Sequence, residues 1–177
     1  MLQKSSMQKV LNCFFREPTK KYSLKELSQK SRLAHTSVKI ILQNLIKNNL
    51  IVLEKERKGK RIFPIYFSNL DKENYKKLKK INNLLEISES GLIEEIDRKI
   101  MPKSIVLFGS YSKGEDIESS DIDLFVEAGD LEIDLTKFEK KLFRKINLYF
   151  DENLKKLSKN LKENIINGIV LEGIIKI

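Results

Sequence analysis

The feature that most constrains how this chain can fold is an apolar run that ends at a glycine and is followed by alternating acidic and apolar residues. The run Ile105–Phe108 is continuous, as expected for a strand covered on both faces, and it ends at Gly109-Ser110. A glycine there allows close approach to the backbone, and a helix beginning there would direct free amides toward an anion. Further on, Asp121–Leu124 alternates strictly, so a strand would place both carboxylates on one face.

The paired carboxylates of Asp121 and Asp123 predict a metal site. Two ionised carboxylates side by side repel each other, and a hard divalent cation relieves that repulsion. Mg²⁺ binds through one or two carboxylates together with phosphate oxygens. With the turn at Gly109, the pair therefore predicts a site for Mg²⁺ (or Mn²⁺) and a phosphate-bearing ligand.

With these motifs the sequence resembles the DNA polymerase beta nucleotidyltransferase superfamily. The shared pattern is an apolar strand, Gly-Ser, a spacer of about ten residues and then Asp-apolar-Asp-apolar, over roughly residues 90–175. It is similar to the small "minimal" nucleotidyltransferase domains of archaea and bacteria, which often show Gly-Ser-Tyr-x-Lys-Gly and Ser-Asp-Ile-Asp-Leu. The resemblance implies in-line transfer of a nucleoside monophosphate from an NTP, expected to be ATP, with release of pyrophosphate.

The resemblance also implies roles for individual residues. Asp121 and Asp123 would hold the metal and carry catalysis. Nucleotide binding is expected from Gly109 and Ser110, which would hold the β- and γ-phosphates, and from Lys113 and Ser120, which would add phosphate contacts. A plain surface position is an equally good interpretation of Lys113.

The third carboxylate of the family has no direct counterpart. It normally lies on a later strand and helps to deprotonate the attacking hydroxyl. In the matching segment, 145–150, alternation places Asn147 on the face where this acid belongs. An amide binds metal weakly through its oxygen and cannot act as a base at neutral pH. Asp134 and Asp151 are alternative acids, although each is better interpreted as a helix cap.

The amino-terminal segment predicts three short helices followed by a hairpin. The spacing of apolar residues and a capping box at Ser23-Leu24-Lys25-Glu26 support the helices. The predicted elements are helices over Met7–Phe15, Ser23–Lys30 and His35–Asn48, and strands over Ile51–Lys55 and Ile62–Phe67. A basic turn, 57–61, joins the strands, with its one glycine placed for a positive φ, and Pro64 predicts that the second strand lies at a sheet edge.

This order of elements resembles a winged helix-turn-helix domain. The resemblance implies that the third helix enters the major groove of duplex DNA, while the basic turn contacts phosphates. The expected base contacts are His35, Thr36, Ser37, Lys39, Gln43 and Asn44, and the expected phosphate contacts are Arg57, Lys58, Lys60 and Arg61. A winged helix that serves dimerisation or protein contact is the alternative, and a homodimer is compatible with either.

The net charge of +9 is unevenly distributed. Residues 1–70 hold 15 Lys and Arg against 4 Asp and Glu, whereas residues 71–177 hold 19 against 21. Such asymmetry favours two domains with different partners, a polyanion for the basic part and metal ions for the acidic part. A lysine-rich lineage with solvated surfaces is the competing explanation.

These observations predict an α/β (α+β) chain: a winged helix domain over 1–70, a helical connector over 71–90 and a nucleotidyltransferase domain with a small mixed sheet over 91–177. The connector should be helical to about Ile87, and Ser88 should cap a further helix over Glu89–Lys99. The basic cluster at 76–80 is interpreted as a solvated face. The tail from Leu161 should add a helix and a last strand, 169–171.

Other classes of protein are disfavoured. Cys13 is the only cysteine, which excludes an internal disulfide and a cysteine-based zinc cluster, and it is interpreted as a small buried apolar residue. No apolar run approaches the ~20 residues needed to span a bilayer, and residues 1–9 lack the apolar centre of a signal peptide. A cytoplasmic location without membrane contact is therefore expected.

Three functions remain compatible with the sequence. The first is a nucleotidyltransferase with a DNA-binding domain and an unknown acceptor. The second is a DNA-binding transcriptional regulator whose catalytically weak nucleotidyltransferase-like domain senses nucleotide, which Asn147 favours. The third is an antitoxin-like protein that modifies or masks a partner protein.

Overall fold

The computed structural model describes residues 5–152, 154 and 157–175. It divides into two compact units, residues 1–79 and 80–177. The division falls inside one helix, α4 (Glu73–Ser90), at the place where the sequence predicts a helical connector.

Within the described residues, the first unit contains three complete helices, the first part of α4 and a three-stranded antiparallel sheet. The strand order is β1-β3-β2. The predicted helices and strands are confirmed, and the two-residue strand β1 is an addition to them. The elements in chain order are α1 Ser6–Arg16, β1 Tyr22–Ser23, α2 Leu24–Ser31, α3 His35–Lys47, β2 Ile51–Lys58 and β3 Arg61–Ser68.

A capping box begins α2, as the sequence predicts. The amide of Glu26 donates to Ser23 Oγ (3.3 Å), and the amide of Ser23 donates to Glu26 Oε2 (2.8 Å). Two orphan amides at the helix start are thereby satisfied reciprocally. The three helices bury their apolar faces in one core, which includes Val10, Phe14, Tyr22, Leu27, Val38, Leu42 and Leu45.

The strand that contains Pro64 is central rather than at an edge, so that prediction is wrong. Strand β3 pairs with β2 on one side and with β1 on the other. The ladder to β1 contains only the pairs Tyr22–Tyr66 and Ser23–Ile65 and stops short of Pro64. Among the described residues, no strand pairs with Pro64 on that side, and an unpaired side is where a residue without an amide hydrogen is tolerated.

The second unit is built on a mixed sheet, as predicted. Its strand order in the described residues is β6-β5-β4-β7, with β5 and β6 parallel and the other pairs antiparallel. Its elements after α4 are α5 Leu92–Ile100, β4 Ser104–Phe108, α6 Gly109–Lys113, β5 Ile122–Val126, α7 Thr136–Leu142, β6 Ile146–Phe150, α8 Lys159–Ile166 and β7 Ile169–Gly173.

Both faces of this sheet are covered, which explains the continuous apolar run in β4. Alternate residues Ile105 and Leu107 join a core cluster with α5 and α7, and Val106 and Phe108 join another with Ile165 of α8. All five residues of β4 are buried. The prediction of a strand covered on both faces is therefore confirmed.

The break between α4 and α5 lies three residues later than predicted. Ser88 is inside α4, and the chain turns instead at Gly91, whose φ of 79° is accessible to glycine. The hydroxyl of Ser90 accepts from the amide of Leu92 (3.0 Å) and donates to the carbonyl of Ile87 (2.6 Å). Ser90 therefore has the role that the sequence suggests for Ser88.

Cys13 is buried, as predicted, and its thiol donates to the carbonyl of Lys9 (3.5 Å). Burial raises the pKa of this thiol above its usual value. Across the part of the chain that the structure describes, no helix combines the length and the apolar character required to cross a membrane.

Candidate active site

Asp121, Asp123 and Asn147 converge at one end of the mixed sheet. Asp123 lies in β5 and faces Asn147 in the parallel register with β6, and Asp121 immediately precedes β5. Asn147 Nδ2 donates to Asp121 Oδ2 and to Asp123 Oδ1, each at 3.1 Å. Ile122, which lies between the two acids in sequence, and Leu124, which follows them, are fully buried. The alternation of this strand therefore directs both acids to one side.

The bridge by Asn147 accounts for how the two carboxylates stay close. Its amide hydrogens lie between two negative charges, where they offset part of the repulsion. A carboxamide has both a donor nitrogen and an acceptor oxygen, and a half-turn about the last side-chain torsion angle of asparagine exchanges their positions. The same side chain can thus serve the carboxylates alone or add an oxygen beside a cation.

The oxygen atoms of this cluster fit a hard divalent cation. Asp121 and Asp123 supply carboxylate oxygens, and Asn147 supplies an amide oxygen after a half-turn. Among the described His, Cys, Asp and Glu side chains, no group of three or more lies together as a metal site. Mg²⁺ would therefore depend on phosphate oxygens or water for the rest of its shell, as it does in many nucleotide sites.

Gly109 lies directly against Asp123. Its φ is +72°, and a Cβ atom placed on it would lie 2.5 Å from Asp123 Oδ2. The turn after β4 therefore needs glycine for its backbone conformation and for its contact with the carboxylate. Ser112 Oγ donates to the carbonyl of Gly109 (2.8 Å), which helps to hold the turn.

The other predicted phosphate contacts lie in α6 and in the loop before Asp121. Ser110 is half-buried in the first turn of α6, while Lys113 is exposed in its last turn. Ser120 closes a tight loop just before Asp121, because its Oγ accepts from the amide of Ile117 at 2.9 Å. Its hydroxyl hydrogen is not used by that bond and is available in principle for a phosphate oxygen.

Neither alternative acid joins the carboxylate pair. Asp134 Oδ1 accepts from the amide of Thr136 (2.9 Å) at the start of α7, and hydrogen bonds from Thr136 lower the pKa of Asp134. It therefore caps the helix, as predicted. The amide of Asp151 donates to the carbonyl of Val126 (3.4 Å) beyond the end of β6.

Tyr149 is a site residue that the sequence analysis overlooked. It lies two residues after Asn147 in β6, hence on the same face, and its ring packs edge-on against Phe108 with centroids 5.3 Å apart. Burial raises the pKa of its phenol, and so do the charge of Asp123 and a hydrogen bond with it. The same alternation that selects Asn147 would also have selected Tyr149.

A buried polar network supports the loop that leads to Asp121. Asp116, in that loop, pairs with Arg144 (3.4 Å), and both side chains are at least nine-tenths buried. Asn83 Nδ2 donates to Asp116 Oδ1 (2.8 Å) and to the carbonyl of Tyr111 (3.0 Å). Arg144 lies two residues before β6, the strand of Asn147, so the network links the segments that lead to both sides of the site with α4.

A cavity of about 480 Å³ opens beside Asp121. It lies at the same end of the sheet, between the loop before β5 and the segment from α7 to β6. Its lining combines cations, carboxylates, hydroxyls and one exposed ring, and includes Asp121, Ser120, Thr136, Phe143, Lys140 and Lys145. Of the two paired carboxylates, Asp121 lines this cavity, which is wide enough to admit a small molecule or an acceptor group.

The predicted DNA contacts lie on exposed parts of the first unit. The side chains named in α3 and at the hairpin are all exposed where the structure describes them: His35, Thr36, Ser37, Lys39, Gln43, Asn44, Arg57, Lys60 and Arg61. The side chain of Lys58 lies outside the described part of the chain. Gly59 has φ +63° in the two-residue turn between Lys58 and Arg61, as predicted.

Part of the second unit is similar to a known protein family. Residues 89–173 match the family model of the nucleotidyltransferase domain. The matched segment contains the glycine turn, both carboxylates and Asn147, and it agrees with the predicted extent of the resemblance. The α+β fold and the match together support a transferase-type enzyme. No curated protein and no solved structure matched the chain.

Proposed function

We propose that the second unit transfers a nucleoside monophosphate from an NTP, with ATP as the expected donor, to an acceptor hydroxyl. The observation that carries this proposal is the contact between the Gly109 turn and Asp123, beside Asp121. A phosphate held at the turn would lie next to the paired carboxylates, where a divalent cation binds best. The family match of residues 89–173 supports the same reaction class.

The proposed reaction is a displacement at the α-phosphorus. The acceptor oxygen forms a bond to this phosphorus while the bond to the oxygen bridging the α- and β-phosphates breaks, and pyrophosphate leaves with those electrons. Bound Mg²⁺ would stabilise the charge that develops on the phosphate oxygens. Asp121 and Asp123 would hold the cation, and the amides at Gly109 and Ser110 would orient the β- and γ-phosphates.

Asn147 determines where the acceptor proton goes. An amide has no basic lone pair at neutral pH, so the proton passes to solvent water rather than to this side chain. The cavity beside Asp121 admits water together with the acceptor. This arrangement favours slow transfer, because general-base assistance typically contributes ~10²–10⁴-fold.

Transfer of label from [α-³²P]NTP tests this proposal. The protein is incubated with Mg²⁺ and NTP, and label is followed into protein, RNA and water. We expect transfer by the wild type and none by Asp121→Ala. Asp130→Ala, which removes an exposed carboxylate elsewhere in the unit, serves as the control. Equal transfer by Asp121→Ala would refute the mechanism.

A second candidate function, nucleotide sensing by a DNA-binding regulator, is favoured by the Asn147 bridge. The bridge keeps the two carboxylates together without supplying a base, which suits reversible binding of Mg²⁺ and NTP. In that case NTP would alter DNA binding without label transfer. Measuring both effects on the same preparation separates the two functions.

For the first unit we propose a winged helix-turn-helix domain that binds duplex DNA. The order of its helices and strands, the absence of Asp and Glu from α3 and the exposed cations of the hairpin support this assignment. Full-length protein should bind duplex DNA with an affinity that falls steeply as salt rises, since phosphate contacts release counterions. Replacing Arg57, Lys60 and Arg61 by alanine should flatten the salt dependence by about three units of slope. Failure to bind any duplex at low salt would favour a protein-contact role.

A further inference from the structure

The exposed face of α3 carries one apolar side chain that folding does not explain. Ile40 is 68% exposed, more than any other large apolar side chain among the described residues of the first unit. A β-branched residue is slightly unfavourable in a helix, and an exposed one gains nothing from burial. Single exposed apolar residues are common on proteins. Ile40 differs because it lies at the centre of the face proposed to meet DNA.

The neighbours of Ile40 restrict the kind of surface it can meet. Thr36 lies one turn before it and Gln43 one turn after it, so the three form one exposed stripe. Lys39 flanks the stripe, and α3 contains no carboxylate. The complementary surface is therefore anionic, with hydrogen-bonding groups and an apolar spot near its centre.

The major groove of DNA provides such a surface. Among the four bases, only thymine presents an apolar group there, its C5-methyl, and adenine presents the N6 donor and N7 acceptor that a carboxamide recognises. Asn44 is less suited to that recognition, because its Oδ1 accepts from Asn48 Nδ2 (2.8 Å) within the helix. Gln43 is therefore the carboxamide for adenine.

We infer that Ile40 contacts the methyl group of a thymine, with Gln43 on a nearby adenine, so that α3 recognises an A·T-containing site. This inference rests on the proposed DNA binding by the first unit and specifies the chemistry of the target. The apolar contact supplies sequence preference, while Lys39 and the cations of the hairpin supply affinity for the phosphates.

The test removes single methyl groups from the DNA. Preferred duplexes are first selected from a random library with the full-length protein, and each thymine is then replaced by deoxyuracil, which lacks only the methyl. At one position the wild type should bind the deoxyuracil duplex about fourfold more weakly, the effect expected for one buried methyl group. Ile40→Ala should bind both duplexes equally, and Ile40→Val should retain part of the preference.

Two further variants make the result specific. Lys39→Ala should weaken binding to both duplexes and leave the thymine-to-deoxyuracil ratio unchanged. Gln43→Ala should lose sensitivity to 7-deazaadenine, which removes the N7 acceptor. Wild-type binding that ignores every deoxyuracil substitution, or an Ile40→Ala ratio equal to the wild-type ratio, overturns the inference while DNA binding stands. Absence of binding to any duplex at low salt overturns both this inference and the proposed DNA binding by the first unit.

Discussion

Gly109 and Asp123 are in such close contact that a single added carbon atom would disturb the carboxylate. The Cβ of any other residue at this position would lie 2.5 Å from Asp123 Oδ2. The positive φ of Gly109 adds a second restriction, because side chains disfavour it. The glycine is thus required by the site as well as by the turn.

Gly109→Ala should therefore reduce both stability and nucleotide binding. The left-handed conformation costs about 1–2 kcal/mol for alanine, and overpacking adds roughly 1–3 kcal/mol. Gly91→Ala is a matched control, since Gly91 has φ +79° and nothing lies within 4 Å of its added Cβ. We expect urea unfolding to show the smaller loss for Gly91→Ala, with Mg²⁺–NTP affinity intact by calorimetry. Equal effects of the two substitutions would argue against the contact with Asp123.

Binding of NTP should depend on Mg²⁺ through the paired carboxylates. Without a cation these groups repel phosphate, so we expect affinity in EDTA to fall on the order of tenfold or more, about 1.4 kcal/mol. Asp121→Ala combined with Asp123→Ala should abolish the difference between Mg²⁺ and EDTA. The control variant, Asp130→Ala with Glu132→Ala, removes the same two negative charges at exposed positions. It should keep the difference in affinity between Mg²⁺ and EDTA. Titration calorimetry of all three proteins in Mg²⁺ and in EDTA measures the difference, and an unchanged Mg²⁺ effect in the first double variant would place the site elsewhere.

Asn147→Asp should make the unit a faster transferase and a less stable protein without metal. A base beside the acceptor hydroxyl can contribute up to ~10²–10⁴-fold to the rate. In EDTA, however, three carboxylates would repel one another at the place where the Asn147 amide of the wild type bridges two. The melting temperature of the variant should therefore fall in EDTA, and Mg²⁺ should restore it. Asn147→Ala, which removes the bridge without adding an acid, should gain no activity. Unchanged activity in Asn147→Asp would indicate that the acceptor loses its proton by another route.

The Asp116–Arg144 pair should be important for folding. Removing one member of a buried ion pair leaves the other charge buried and typically costs about 3–5 kcal/mol. Asp116→Asn should therefore lower the free energy of unfolding by an amount of that order, whereas Asp130→Asn on the surface should have little effect. A change below ~1 kcal/mol for Asp116→Asn would mean that the loop before Asp121 is held by other contacts.

Acid should destabilise the first unit through Glu17. Burial alone would raise the pKa of Glu17, but hydrogen bonds from Lys30, Tyr22 and Lys20 outweigh it and lower the pKa to about 2. The folded-state pKa lies below the ordinary value of 4.5, so this contribution is present above about pH 4.5 and is lost as the pH falls toward 2. Glu17→Gln should therefore be less stable than the wild type at pH 7 and nearly equal to it near pH 2. Urea unfolding across this range measures the difference, and a constant difference would exclude the linkage.

Local patterns predicted the parts of the site that lie close together in sequence. The apolar run of β4, the glycine turn and the alternation through Asp123 each follow from the geometry of a strand or a turn. Asn147 was predicted because the same alternation applies to β6. The same pattern also places Tyr149 on this face, but a phenol is not among the acids and amides expected to hold a metal ion.

Other features depend on tertiary contacts that no local pattern encodes. Asn83, Asp116 and Arg144 come from three separate segments, and nothing in their surroundings in sequence indicates that they meet. The central position of β3 depends on pairing with the two-residue strand β1, which is too short to have a detectable period. Ile40 is not among the predicted base contacts, and its exposure shows that it lies outside the core of the first unit.

The bridge formed by Asn147 also bears on how such a chain can evolve. Codons for asparagine and aspartate differ by a single base, and the two side chains have nearly the same size and shape. Exchange at this position would therefore alter the proton-accepting chemistry of the site with little demand on the surrounding packing. A single base change would thus separate the proposed slow transferase from a faster variant, and metal availability would set the selective cost of that change.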